Sequence, residues 1–348
     1  MLGIEDQVVR TTTVAGDTVA YAVVGHGPPV VVGGWWCSHL SLNWRDPLFR
    51  EYLSRLAARH SIIRYDRPGT GASPPDGAIP LTLDAEVEVM TGIADALSLE
   101  RFAVVGASSG GATAVAFAAS RPKEVTRLVL YGAFARGEDL APEAARTAMV
   151  DVIGAHWGLG SRLLADVFVP GASNEEREAF AAFQRASATR EQAAASLAAT
   201  YELDVTEALA ELRLPTTVIH RREDRAVPFA LGADVARRIR GARFVALDGV
   251  DHFPWRGDSS AVADATLRGL GHRVEVKPDP PGPESVTRRE REILELVSAG
   301  LTDTEIAERL VISVHTVHRH IANARTKLGV RSRAAAAVTM AQVKQPRP

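Results

Sequence analysis

The stretch Val104-Val105-Gly106-Ala107-Ser108-Ser109-Gly110-Gly111 reads G-x-S-x-G, with Ser108 at its centre. A short apolar run, Arg101 to Val105, leads in, and a small-residue helical run, Gly110 to Ala119, leads out. Strand, tight turn and helix are the context in which such a serine becomes a nucleophile. The glycines have a steric reason: side chains flanking so sharp a turn would collide with strand and helix. The turn lifts the hydroxyl clear of the sheet, and the start of the following helix favours negative charge beside it.

A serine hydroxyl attacks only if a base takes its proton and a carboxylate orients that base. Working outward, His252 in Leu247-Asp248-Gly249-Val250-Asp251-His252-Phe253 is the candidate base, just after the last strand-like run. Asp224, just after the preceding one, is the candidate acid, with Glu223 and Asp251 as competitors. Oxyanion donors are expected from the backbone N–H of Ser109 and from the Gly34–Trp35 turn, through Trp35, at about 3–4 kcal/mol per donor where measured. This chemistry needs no cofactor or metal ion, and none is expected. Cys37 is the only cysteine, so an intrachain disulfide or Cys-based zinc site is excluded.

Upstream, residues 7–13 and 18–24 alternate as a hairpin, and Pro29 to Val32 and Ser61 to Tyr65 read as buried strands. Pro47 to His60 and Thr82 to Leu97 have helical spacing. Alternating strands and helices imply a mostly parallel sheet covered by helices. Between Arg136 and Leu212 the rhythm turns all-helical, the pattern of a cap over the sheet's carboxyl edge. Trp36, Trp157, Phe168, Phe183 and Phe253 are expected to line an apolar ligand pocket there. The sheet resumes at 216–220 and 243–247, with helices at 228–240 and 259–270.

The order Ser108, Asp224, His252 and the loop Asp66-Arg67-Pro68-Gly69-Thr70-Gly71-Ala72-Ser73 make residues 1–271 resemble the α/β-hydrolase superfamily. The resemblance implies an α/β-hydrolase fold with a helical cap at about 136–212. Asp66 then reads as a structural loop carboxylate. The run from Ser38-His39-Leu40 to Pro47, with Tyr65-Asp66-Arg67, is similar to hydrolase-like sensor domains that precede regulators and nucleotide cyclases. One departure is Gly33-Gly34, where many active members carry His-Gly.

Residues 272–283, with four prolines, form a linker. From Glu284 onward there are 11 Lys/Arg and seven Asp/Glu, so a +4 tail follows a −6 body. Basic excess in a small domain suggests a nucleic-acid partner. Thr287-Arg-Arg-Glu290 and Thr302-Asp-Thr-Glu305 are capping boxes. A third helix runs from its cap Ser313 to about Leu328, with Val314, Val317, Ile321, Ala324 and Leu328 on one stripe. A fourth spans Ser332 to Met340. Residues 284–341 resemble the LuxR-type DNA-binding domain along their whole length, a small all-α helix-turn-helix domain. That implies major-groove reading by the third helix. His318 and Arg319 are candidates for base edges, and Ser313, Thr316, Asn323 and Lys327 for phosphates.

The expectation is a cytoplasmic regulator, dimeric on double-stranded DNA, with the hydrolase-like domain (1–271) sensing an ester- or lactone-like ligand and domain 284–348 binding DNA. The alternative is a working serine hydrolase joined to a DNA-binding domain. No apolar run approaches a membrane span, and Met1 to Arg10 has no signal-like apolar core.

Overall fold

A computed structural model describes residues 7–74, 80–274, 283–310, 312, 314–330 and 332–343. The chain divides into two units, Met1–Val274 and Glu275–Pro348.

The first unit opens with a hairpin, β1 (Val8–Val14) and β2 (Asp17–Val24), closed by Ala15 and Gly16, both at positive φ. That is the backbone a two-residue hairpin turn demands. Then come β3 (Pro29–Val32), α1 (Leu40–Arg45), α2 (Pro47–Ala57), β4 (Ser61–Tyr65), α3 (Leu83–Ala96), β5 (Phe102–Ala107), α4 (Ser109–Ser120) and β6 (Val125–Tyr131). The segment that follows is helical: a 3-10 turn (Gly137–Leu140), α5 (Glu143–Ala155), α6 (Trp157–Phe168), α7 (Asn174–Ser187), α8 (Arg190–Tyr201) and α9 (Thr206–Glu211). The sheet resumes with β7 (Thr216–Arg221), α10 (Phe229–Arg238), β8 (Arg243–Leu247) and α11 (Ser259–Gly269).

The eight strands form one sheet in the order β1-β2-β4-β3-β5-β6-β7-β8. β1–β2 and β2–β4 are antiparallel, and all later pairs are parallel. Alternate residues of the central strands serve opposite faces. Val104, Leu128 and Leu130 enter one apolar cluster, with α3 and α4. Ala103, Val105 and Val129 enter another, with α2 and α11. Each fully buried Val or Leu contributes about 1.5–3 kcal/mol.

The loop after β4 is fixed by polar contacts. Asp66 accepts from Ser38 Oγ (2.7 Å), Leu40 N (2.9 Å) and Ala72 N (2.8 Å). The same loop holds the helical segment: Gly71 N donates to Ser187 O (2.8 Å), Gln192 Nε2 to Pro68 O (3.2 Å) and Arg67 to Ser196 Oγ (3.1 Å). Arg67 Nε also meets Glu86 Oε1 at 2.5 Å, with both side chains buried.

The second unit holds a 3-10 turn (Pro283–Ser285), α12 (Arg288–Ser298), α13 (Asp303–Leu310), α14 (Val314–Leu328) and α15 (Arg333–Val343). Thr287 and Glu290 close a reciprocal capping box, and Thr302 and Glu305 repeat it. Gly300 and Gly329 stop helices at positive φ. Val317, Ile321 and Ala324 are buried, and Val314 and Leu328 pack beside them. Among the described residues, no helix is long and apolar enough to cross a membrane.

Two predictions follow from this packing. Arg67→Met leaves Glu86 buried and unpaired, and should lower unfolding free energy in urea by about 3–5 kcal/mol. Adding Glu86→Gln should recover much of that loss. The second concerns His60, whose Nδ1–H donates to Pro28 O (3.0 Å), so that its Nε2 accepts from His272 Nε2–H (2.7 Å). Burial lowers both pKa values below the ordinary 6.5. The Pro28 bond opposes this at His60, and the cations of Arg59 and the neighbouring ring add to it at His272. The unfolded chain therefore takes up these protons first. Stability is complete above the ordinary value and falls as pH drops through it. The double variant His60→Gln/His272→Gln should show a flatter dependence of unfolding midpoint on pH between about pH 5 and 7.

Candidate active site and nucleic-acid interface

Ser108 lies between β5 and α4 at φ 54, ψ −130, a region that costs a non-glycine residue of order 1–3 kcal/mol. The glycines around it show why the turn can form. A Cβ at Gly110 would sit 2.5 Å from Gly34 O, one at Gly33 2.8 Å from Gly110 O, and one at Gly106 2.6 Å from Gly110 O. The turn after β3 and the turn after β5 thus touch backbone to backbone. Ser109 N–H opens α4, where no intrahelical acceptor exists for it. Trp35 follows Gly34, but its ring turns into the core, edge-on to Trp255 at 5.1 Å. Only its backbone is left for an oxyanion role.

Asp224 and His252 meet: Nδ1 of the imidazole lies 2.8 Å from Asp224 Oδ2. The other carboxylate oxygen accepts from Ala226 N (2.9 Å) and Val227 N (3.1 Å). Burial raises the Asp224 pKa, but the His252 charge and hydrogen bond, His220 and the Val227 N–H together hold it below the ordinary value. An ionised Asp224 obliges Nδ1 to carry the proton, which frees Nε2 as an acceptor. Sheet register brings this pair to the serine. Ser108 N–H donates to Tyr131 O (3.0 Å), and a Cβ on the next residue, Gly132, would lie 3.1 Å from His252 Cε1 and 3.5 Å from Asp224 Oδ2. Asp251 instead accepts from Gly171 N (2.9 Å).

The aromatic residues form a chain of ring contacts running from the base into the helical segment. Phe168 stacks on His252 (5.6 Å, 24°), Trp36 packs on Phe168 (6.2 Å), and Trp157 meets Trp36 edge-on (6.3 Å). Phe253 touches Phe168 (5.6 Å) and Phe180 (5.0 Å), and Phe183 stacks on Phe180 (6.0 Å). Trp36 and Phe253 are only 8% exposed and pack on their neighbours, whereas Trp157, Phe168 and Phe183 are half-buried. Trp157 also ties helices together through Nε1–H to Ala188 O (3.0 Å).

Two participants, His220 and Arg221, escaped the sequence reading, and Phe168, expected only in the pocket, has a further role. Phe168 grips His252 through its carbonyl as well as its ring, accepting the His252 N–H at 2.8 Å. His220 lies beneath the carboxylate, its Nε2 donating to Val227 O (2.9 Å). Burial lowers its pKa, against the pull of the Val227 bond and Asp224, which keeps a second positive charge from the pair. Arg221 is 1% exposed at the end of β7. The only trace of it in sequence is an arginine ending an apolar strand.

In the second unit, His318 on α14 is exposed and its Nε2 meets Asp303 Oδ2 (2.9 Å), an acid that also pairs with Arg333 (2.6 Å). Thr316 and Asn323 are half-buried on α14. Lys327, a phosphate candidate, has its Nζ donating to both oxygens of the buried Glu290, at 3.2 and 3.0 Å. The reason is that a capping carboxylate folded into the bundle needs a cation. Arg319 belongs to α14, and Ser313 lies outside the described residues.

Residues 22–265 match the alpha/beta hydrolase family and residues 284–340 the bacterial regulatory proteins of the luxR family. The chain is 31% identical over 257 residues to pimeloyl-(acyl-carrier protein) methyl ester esterase of Xanthomonas campestris pv. campestris (strain B100), spanning 71% of this chain and 96% of that one. It is 27% identical over 234 residues to pyrrolizixenacetamide deacetylase of Xenorhabdus hominickii, 66% of this chain and 86% of that one. A hydrolase from Pseudomonas aeruginosa PA01 superposes with a TM-score of 0.65 at 26% identity, over 77% of this chain and 99% of that one. Strand order, the strained serine turn and these matches agree: the chain belongs to the alpha/beta hydrolase family and carries a luxR-family DNA-binding domain at its C-terminal end.

Proposed function

We propose that this protein is a cytoplasmic, dimeric transcriptional regulator whose hydrolase-like domain takes a small, largely apolar ester or lactone and alters DNA binding in response. The reading rests on one observation above the others. A single chain holds an Asp224–His252 pair beside a strained serine and a luxR-family helix-turn-helix. An apolar acyl group suits the rings of Trp36, Trp157, Phe168, Phe183 and Phe253, with the ring cluster opening to admit it. The α14 residues His318 and Arg319 read base edges, while Thr316, Asn323 and Ser313 contact phosphate. Lys327 is left out because its ammonium is held by the buried Glu290, whereas His318 keeps a side chain 59% exposed beside Asp303.

A second reading, turnover, is favoured by the orientation of His252. Ser108 Oγ would attack the carbonyl carbon and pass its proton to His252 Nε2. The N–H groups of Ser109 and Trp35 would receive the oxyanion. The C–O bond to the leaving alcohol then breaks, with His252 returning the proton, and water cleaves the acyl-enzyme by the same route. Sensing and turnover share the same pocket, so the serine separates them.

The test is fluorescence anisotropy on duplexes enriched from a random library, with and without a panel of acyl esters and lactones. At least one compound should change Kd about fivefold or more. Ser108→Ala should keep that response if binding is the signal and lose it if the product is. No duplex binding at low salt under any condition ends the regulator reading. Separately, His318→Ala should weaken discrimination at one base-pair position by about 1–3 kcal/mol and leave the other positions unchanged.

A further inference from the structure

Arg221 is the largest of the fully buried side chains, and among the described residues no carboxylate forms an ion pair with it. A buried guanidinium is costly unless most of its N–H groups are satisfied. Here Nη1 and Nη2 find main-chain carbonyls of one segment, while the buried Nε–H has no hydrogen-bond partner among the described residues. Nη1 donates to Asp251 O (2.8 Å) and Phe253 O (3.1 Å). Nη2 donates to Arg256 O and to Asp258 O (3.4 Å). Two of those carbonyls flank His252 on either side. The segment 251–258 has no helix or strand of its own, and beyond local turns such as Arg256 N–H to Phe253 O (3.1 Å) its carbonyls rely on Arg221.

The opposite side of the segment is held by the helical insertion. Phe168 O accepts the His252 N–H, the Phe168 ring lies on the imidazole, and Gly171 N–H donates to the Asp251 carboxylate. A Cβ at Gly171 would come within 2.8 Å of Asp251 Oδ2, so nothing larger than glycine fits this contact undisturbed.

We propose that Arg221 is a positioning residue for His252, the core-side half of a two-sided clamp whose cap-side half is the Phe168–Gly171 segment. This rests on the serine-hydrolase reading of Ser108, Asp224 and His252. Arg221 sets where the imidazole stands by fixing the backbone before and after it. The cap completes that placement, so occupancy beneath the cap is felt at the base.

The test is the rate at which a fluorophosphonate probe labels Ser108, a reaction in which the Oγ–P bond forms, the P–F bond breaks and His252 takes the hydroxyl proton. Arg221→Met should label more slowly by on the order of 100-fold, the effect of displacing a catalytic group by about 1 Å. Millimolar guanidinium should restore much of the rate in Arg221→Ala. Gly171→Ala, acting from the other side and leaving Arg221 intact, should also slow labelling. Val89→Ala, in the core on the other face of the sheet, serves as a stability control and should label like wild type. Wild-type labelling with Arg221→Met unchanged overturns the inference alone. So does a slowing that Val89→Ala reproduces and guanidinium does not relieve. If Arg221→Met fails to fold, Gly171→Ala decides, and a wild-type rate there overturns the clamp. A wild type that is not labelled overturns the hydrolase reading and the clamp with it.

Discussion

Much of the first unit depends on one close approach: the turn after β3 meets the turn after β5 with no side chain between them. Gly33, Gly34, Gly106 and Gly110 occupy points where a single added carbon would come within 2.5–2.8 Å of another atom. Such overlap costs about 1–3 kcal/mol even when the surroundings yield, and here the opposing atoms are mostly backbone. The approach lets β3 run in register with β5 to its own last residue, Val32 beside Val105. It also over-determines the backbone at Ser108, whose strained φ would otherwise relax. The Gly33-Gly34 pair, which departs from the commoner His-Gly, is explained by the same contact. Gly33 faces Gly110, and a Cβ at Gly34 would meet the Arg67 side chain at 2.6 Å.

From that fixed point the rest of the site is a matter of holding charges where water does not reach. Asp224 is buried, yet three donors and a neighbouring imidazole keep it ionised. His220 stays neutral because it is buried, so the carboxylate has one imidazole to orient rather than two cations to share. Arg221 brings its guanidinium into the same region, turning Nη1 and Nη2 to backbone carbonyls, near the Asp251 carboxylate and the Tyr131 ring. Each group is tolerable because its partners are supplied locally, by the residues just beyond β7 and β8. The carboxyl ends of parallel strands are where a fold can gather such groups without burying unpaired chain.

How much of this could be read beforehand follows from how local each signal is. The buried strands, the capping boxes at Thr287 and Thr302 and the stripe Val317-Ile321-Ala324 are governed by nearest neighbours, so alternation and 3.6 periodicity disclose them. Ser108 is legible because its turn needs several glycines at fixed offsets. His252 and Asp224 follow from their places after strands. Phe168, Arg221 and Lys327 depend on partners 84, 30–37 and 37 residues away. No spacing rule tells a lysine on a helix face whether it meets solvent, phosphate or the carboxylate of a distant capping box. The short helix α1 escaped for another reason: its six residues are too few to show a period.

The aromatic packing bears on how such a domain could report a ligand. The rings nearest His252 are already in contact with one another, and Trp36 and Phe253 are nearly inaccessible. A compound seated among these rings would press on Phe168 or its neighbours, and Phe168 holds His252 by both its ring and its carbonyl. Binding energy is then divided between filling the site and moving the segment that carries the base. A ligand shifts a two-state equilibrium only by the difference between its affinities for the two states. A preformed open cavity would accept a ligand with little such difference. A packed one imposes it, because the closed arrangement excludes what the open arrangement binds. On the proposed regulator reading, close packing of these rings would then serve signalling better than rapid substrate entry.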